Sequence, residues 1–369
     1  MRPLACVLLA LSLTSAALVS AGCGKAPGPA APGPSATTRT WRMGFSNIAP
    51  VPDQAIAVAT IFMWAPRSDG AIAHDGVPWD SLLAGVAPDT LARRQLDLMR
   101  YYRATAHLQI VYEADPTDGL AREREDPKLV AAGRSIAEPA IQELYRRWVT
   151  AVDTIIHPEY LGLGSEVNLV RVAAPAPVYA ALRQMAARTA DSLRALHARL
   201  PQHPAPQLYA TTQVETAWGR LGPPGYQGAL TDAADFSFAD VWGLSSYPAL
   251  GGFAEPEDIP LDYYSRLGAE VARPVMVVEG GWASVPWGAS AATPQQQARF
   301  YRRQAQLLDE ARAIGVYNLT FADLALSAWP PPPSGTLVPF ARLGLVDSAL
   351  TAKPALAVWD SLFARTRTP

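Results

Sequence analysis

The chain has 369 residues, with 33 Asp and Glu against 31 Lys and Arg and a formal net charge of −2. That balance lacks the basic excess of a nucleic-acid binder, and a hydrophobic content of 49 % excludes wholesale disorder. Two cysteines are too few for a zinc–cysteine cluster or a disulfide scaffold, while 10 Trp and 34 Pro imply aromatic platforms and a loop-rich surface.

Met1 and Arg2 precede a nearly unbroken, charge-free apolar run from Leu4 to Val19. The run is short for a membrane span and reads as a secretory signal over residues 1–22. It closes with Val19-Ser-Ala-Gly-Cys23, which resembles a bacterial lipoprotein signal, with Ser20 where Leu is commoner. The resemblance implies a lipid on Cys23, a bilayer as partner, and a place in the bacterial cell envelope, periplasmic or on the outer surface. Cys6 leaves with the signal, and no disulfide then remains possible. Residues 23–40 carry Pro27, Pro29, Pro32 and Pro34, a composition that cannot bury a core and acts as a semi-rigid spacer. The folded domain is expected over residues 41–369.

Within that domain short apolar runs alternate with longer 3.6-periodic stretches. Strands are expected at Met43–Ser46, Gly70–His74, His107–Tyr112, Tyr160–Gly164, Leu208–Thr212, Val241–Ser245, Val275–Val278 and Tyr317–Phe321. Helices are expected at Leu91–Ala104, Ile136–Ile156, Val178–Leu200 and Pro354–Ala364. A further helix at Gln295–Ala313 is entered through a Thr293-Pro294 cap, and Ile56–Trp64 fits either state. This alternation predicts a single (β/α)8 TIM barrel. A doubly wound sheet is the alternative, weakened by the lack of a glycine-rich turn after the first strand.

Catalytic groups of such barrels sit at the C-terminal ends of strands. Glu166 follows Tyr160-Leu-Gly-Leu-Gly-Ser165 and Glu279 follows Pro274-Val-Met-Val-Val278, by unit count strands four and seven. Each would reach the top rim, and two carboxyl groups about 5–5.5 Å apart hydrolyse a glycoside with retention.

Three segments carry a resemblance to clan A glycoside hydrolases, nearest to the family 53 arabinogalactan endo-β-1,4-galactanases. They are Leu161-Gly-Leu-Gly-Ser-Glu-Val-Asn168, Asp240-Val-Trp-Gly-Leu-Ser-Ser-Tyr-Pro248 and Met276-Val-Val-Glu-Gly-Gly-Trp282. The ending Gly344-Leu-Val-Asp347 with Lys353-Pro-Ala355 and Trp359 looks like the closing segment of many such barrels. The resemblance implies Glu166 as acid/base, Glu279 as nucleophile, Tyr247 beside the nucleophile, and a galactan-like β-linked polysaccharide or oligosaccharide as substrate. Ser165 departs from it, standing where the clan usually has an Asn on the sugar 2-hydroxyl. Asn168 is the residue placed to substitute for it. Phe321-Ala-Asp323 departs too, since an aromatic platform is common there.

Further expected sugar contacts are Asn47, His74, Trp79, Glu215, Trp218 and Trp282, with Glu113, Asp115 and Trp287 on the same presumed face. Tryptophan suits a glycan cleft because a sugar's apolar face stacks on the ring. Glu215 competes for a catalytic place if the strand count slips by one unit. The five histidines show no H-E-x-x-H or H-x-x-E-H spacing, and no G-x-S-x-G elbow occurs, so no metal or other cofactor is expected. A monomer is expected. The competing reading is a non-catalytic glycan-binding surface lipoprotein with a decayed barrel.

Overall fold

The structure, a computed structural model, describes residues 37–286, 291–329 and 335–368. The expected signal, Cys23, most of the spacer and Trp287 lie outside the described residues. Eight parallel strands close a barrel in chain order. They are β1 (Arg42–Ser46), β2 (Gly70–Gly76), β3 (Gln109–Asp115), β4 (Tyr160–Gly162), β5 (Gln207–Gln213), β6 (Val241–Ser246), β7 (Val275–Gly280) and β8 (Gly315–Asn318). β1 closes on β8 with Arg42 opposite Gly315 and Phe45 opposite Asn318.

Strands buried on both faces read as charge-free runs, as in Val275–Val278, where each residue is at most 1 % exposed. One set of side chains, including Ile72, Val111, Tyr209, Met276 and Tyr317, fills the barrel interior. Glycines make the room: a Cβ at Gly162 would lie 2.5 Å from the Tyr209 ring, and one at Gly44 would lie 2.7 Å from that of Tyr317. The other strand faces pack against the helices through a continuous shell that includes Phe45, Trp64, Trp148 and Trp359. Helix Pro139–Ile156 buries Ile141, Tyr145, Trp148, Val149 and Val152 along one stripe. Helix Pro294–Glu310 starts as expected at Thr293, whose side chain accepts from Gln296 N.

One element left open is resolved, and three differences from the expected elements have local causes. Residues 56–64 are helical (Gln54–Trp64), since parallel neighbours need a crossover, and Asp53 Oδ1 caps this helix at Ile56 N, 2.9 Å away. The expected helix 91–104 is broken into Pro88–Arg94, Leu96–Arg100 and a π-helical turn at Tyr101–Thr105. β8 ends at Asn318 instead of Phe321, because the Asn318 amide turns to Tyr301 OH (2.8 Å) and Thr320 O (2.7 Å). The compact domain includes residues from Thr37, inside the expected spacer: Thr38–Arg39 pairs in parallel with Thr366–Arg367, and the buried Arg39 binds Asp69 Oδ2 at 2.6 Å. Among the described residues no helix is long and apolar enough to cross a membrane.

Candidate active site

Glu166 lies just past β4, with Glu279 inside β7, and local backbone irregularities aim both. Glu166 adopts the left-handed region (φ 42°, ψ 47°) immediately before helix Val167–Ala173. That conformation costs a non-glycine residue about 1–3 kcal/mol. It is held by the Glu166 N–H donating to Thr211 Oγ1 of β5 at 2.6 Å. In β7, Met276 and Val278 both face the barrel interior, so strict alternation would turn Glu279 outward. Leu244 of β6 pairs with Val277, however, and Ser245 with Glu279. Val278 is thus an extra residue, and this bulge brings the Glu279 carboxylate to the mouth of the barrel.

There the two carboxylates share one guanidinium. Arg122 Nε donates to Glu166 Oε2 at 3.1 Å, and its terminal Nη2 is 3.9 Å from Glu279 Oε2. Its other terminal nitrogen donates to Asp115 Oδ2. Arg122 is 9 % exposed and comes from the loop after β3, which an Asp115–Thr117 turn and a Thr117–Glu125 bridge fold back over the mouth. Burial opposes its charge, but Glu166, Glu279 and Glu113 more than offset this and hold its pKa above the ordinary value. The remaining oxygens are also fixed: Ser245 Oγ donates to Glu166 Oε1 at 2.7 Å, and Tyr247 OH donates to Glu279 Oε1. Burial, and then the charge of Glu279, push the Glu166 carboxyl above its usual range, against the pull of Arg122 and Ser245. Glu166 is therefore the carboxyl suited to hold a proton.

The cleft above this cluster has a volume of about 510 Å³. Of the expected residues it brings together Glu166, Glu279, Tyr247 and His74, with Glu113 and Asp115. Neither ring nitrogen of His74 has a hydrogen-bond partner among the described residues.

The remaining expected contacts stand off the cleft wall. Trp79 is fully buried against Tyr145, their ring centroids 6.4 Å apart, and Trp282 is fully buried against Phe300. Trp218 stacks on Tyr263 and donates to its backbone carbonyl at 3.0 Å. Ser165 Oγ is enclosed without a hydrogen-bond partner among the described residues, and both amide atoms of Asn168 are taken by the backbone of Gln213. Asn47 continues β1, its N–H bonded to Ile72 O, and its neighbour Ile48 lines the cleft instead. These corrections share a cause: a bulky ring or amide beside a strand end is as readily taken up by the helical shell as by the mouth. Two aromatic residues that reach the cleft, Trp329 and Phe340, follow β8 at the ends of short 3-10 helices (Leu326–Ala328 and Gly335–Phe340), too short to give a periodic signal. Arg122 was equally hidden, inside Ala121-Arg-Glu-Arg-Glu-Asp126, a charge run that reads as a solvated turn.

Glu215 turns away from the mouth. It is fully buried and accepts from Gln213 Nε2 (2.6 Å), Tyr263 OH (3.0 Å) and Ser246 Oγ (3.2 Å). Burial pushes its carboxyl up to about 7. An unfolded Glu releases its proton near about pH 4.3, so between these values the folded state binds more protons and stability falls as pH rises. This group is expected to cost about 3 kcal/mol at pH 8 relative to pH 4.5. Urea unfolding at the two pH values checks this, because Glu215→Gln should remove that share of the loss.

Behind the site, Lys353 Nζ binds Asp323 Oδ1 (2.5 Å), Gly344 O (2.8 Å) and Ser284 Oγ (2.9 Å), stitching the closing segment to the loop after β8. Among the described residues no group of three or more His, Cys, Asp or Glu is arranged to hold a metal.

No protein-family profile matches the chain, and no curated protein matches it. Solved structures do. GH5_18 from Bifidobacterium longum subsp. longum is 15 % identical with a TM-score of 0.58, over 90 % of this chain and 82 % of that one. The exo-β-1,4-mannosidase Op5Man5 from Opitutaceae bacterium strain TAV5 is 17 % identical with a TM-score of 0.57, over 89 % and 60 %. A family 39 glycoside hydrolase from Bacteroides cellulosilyticus WH2 is 13 % identical with a TM-score of 0.52, over 88 % and 64 %. The chain spans about half the length of the β-glucuronidases of an uncultured Clostridium and of Dictyoglomus thermophilum that it also matches. The fold of this chain is thus a (β/α)8 barrel, a fold it shares with these glycoside hydrolases.

Proposed function

We propose that the protein is a retaining β-glycoside hydrolase. The observation that carries the reading is the Glu166–Arg122–Glu279 cluster at the C-terminal mouth of the barrel, with Glu166 biased towards its protonated form. Glu279 attacks the anomeric carbon through Oε2, the oxygen that Tyr247 does not hold. Glu166 gives its proton to the departing glycosidic oxygen, and a glycosyl ester forms on Glu279. Water then attacks that carbon while Glu166 takes back a proton, which restores both carboxyl groups. The sequence likeness to galactanases suggests a β-galactosyl unit as the sugar. The signal-like start suggests a lipid on Cys23, and Cys23→Ser would then move the protein from the membrane to the soluble fraction.

The test is a panel of 4-nitrophenyl β-glycosides of galactose, glucose, mannose and glucuronic acid, followed by proton NMR during early turnover. The β-anomer is expected as the first product. First release of the α-anomer would exclude retention. Binding without product would favour the non-catalytic glycan-binding reading.

A further inference from the structure

The mechanism proposed above, on which this inference rests, needs one open oxygen on each catalytic carboxylate. Glu166 Oε1 accepts from Ser245 Oγ at 2.7 Å and Glu279 Oε1 accepts from Tyr247 OH, which leaves Oε2 of each for the chemistry. Those are the two oxygens that Arg122 spans, with Nε 3.1 Å from Glu166 Oε2 and Nη2 3.9 Å from Glu279 Oε2. For reaction, the anomeric carbon must come within about 3–3.5 Å of Glu279 Oε2. The glycosidic oxygen must lie within about 2.6–3.2 Å of Glu166. The guanidinium therefore stands where the reacting centre of the sugar would stand, and the two cannot be there together. Its charge suits the place, because the oxocarbenium-like transition state that such a carboxylate pair stabilises is itself cationic.

The tip of the loop that carries Arg122 is held down through this one side chain. Among residues 118–124 Arg122 alone is buried. The tip is folded on itself: Asp118 N–H donates to Arg124 O (3.1 Å), Arg124 N–H to Ala121 O (2.8 Å) and Leu120 N–H to Asp118 Oδ1 (2.9 Å). Among the described residues, the hydrogen bonds and ion pairs from this tip to the rest of the barrel are those of Arg122 with Asp115, Glu166 and Glu279. The base of the loop is fixed separately, since Glu125 Oε1 accepts from Ser135 Oγ and Ile136 N, each at 2.7 Å. Release of one side chain thus lets the tip swing about Thr117 and Glu125 with its internal bonds kept. We infer that Arg122 is an internal plug, which the 118–124 tip must withdraw before a glycoside can reach the two carboxylates. A ligand that needs the withdrawn form binds with its affinity reduced by the fraction of molecules in that form.

The test uses the full-length protein and the uncleaved 4-nitrophenyl 1-thio-β-glycosides of galactose, glucose, mannose and glucuronic acid. For the sugar that binds, the calorimetric Kd is expected to be lower in Arg122→Ala than in the unaltered protein by about tenfold or more. Losing a nearby cation does not tighten a neutral probe and weakens an anionic one, so tighter binding reports removal of the plug. Equal or weaker binding overturns this inference. A second measurement needs no substitution, and decides the matter if the alanine variant does not fold. Phenylglyoxal modifies accessible arginines, and mass spectrometry compares Arg122 with the exposed Arg124. Saturating thioglycoside is expected to speed modification of Arg122 relative to Arg124 by about fivefold or more. Unchanged or slower modification, as for an arginine that stays against the bound sugar, overturns the inference. Either failure with 4-nitrophenyl β-glycoside turnover intact leaves the hydrolase reading in place. Absence of both turnover and binding overturns both.

Discussion

Exchange of Glu279 for Gln is expected to lower kcat on 4-nitrophenyl β-glycosides by about 10⁴-fold, since the amide cannot form the glycosyl ester. Glu166→Ala should behave differently. An activated phenol needs little protonation, so the first step survives and the glycosyl ester accumulates, giving a burst of phenol followed by slow turnover. Added azide should then restore turnover, because a small anion reaches the anomeric carbon without a general base. Its product should be the β-glycosyl azide, read by NMR. Equal losses in the two variants, with no burst and no rescue, would contradict the assignment of roles. Circular dichroism of both variants checks that the barrel remains folded.

The second large effect concerns Arg122. Replacing it by Leu leaves Asp115, Glu166 and Glu279 buried without the cation that they share. Removing one partner from a buried ion cluster typically costs about 3–5 kcal/mol, to be read as a lower urea midpoint at neutral pH. The charge of Arg122 pulls the Glu166 carboxyl down against burial and Glu279, so its loss raises that pKa further. Since the acid form of Glu166 protonates the leaving oxygen, the alkaline limb of the kcat/KM profile should move to higher pH. Arg122→Lys keeps a charge but not the planar fork that reaches three carboxylates, and should fall between the two. An alkaline limb that stays in place in Arg122→Leu would remove Arg122 from the electrostatics of Glu166.

The barrel was legible because its signals are local. Charge-free runs such as Val275–Val278 mark strands buried on both faces, and the strand count places Glu166 after the fourth and Glu279 after the seventh. What carries those carboxylates to the mouth was not legible. The left-handed turn at Glu166 is held by Thr211 of the next strand, and the bulge at Val278 exists only in its pairing with β6. A plain alternation argument applied to β7 would have pointed Glu279 outward. Arg122 was missed for a related reason: a loop arginine acquires its meaning from which strand ends it folds across. The tryptophans show the reverse error. Trp79 and Trp282 have the composition of sugar platforms, yet closure of the helical shell takes them inside, and Trp329 reaches the cleft from a segment with no regular pattern.

The short ladder between Thr38–Arg39 and Thr366–Arg367 lies at the base of the barrel, where the strands begin, opposite the carboxylate mouth. The first and last strands of the barrel domain therefore lie side by side on the face away from Glu166 and Glu279, so that a few residues joining Thr38 to Arg367 would splice the domain into a ring without crossing that mouth.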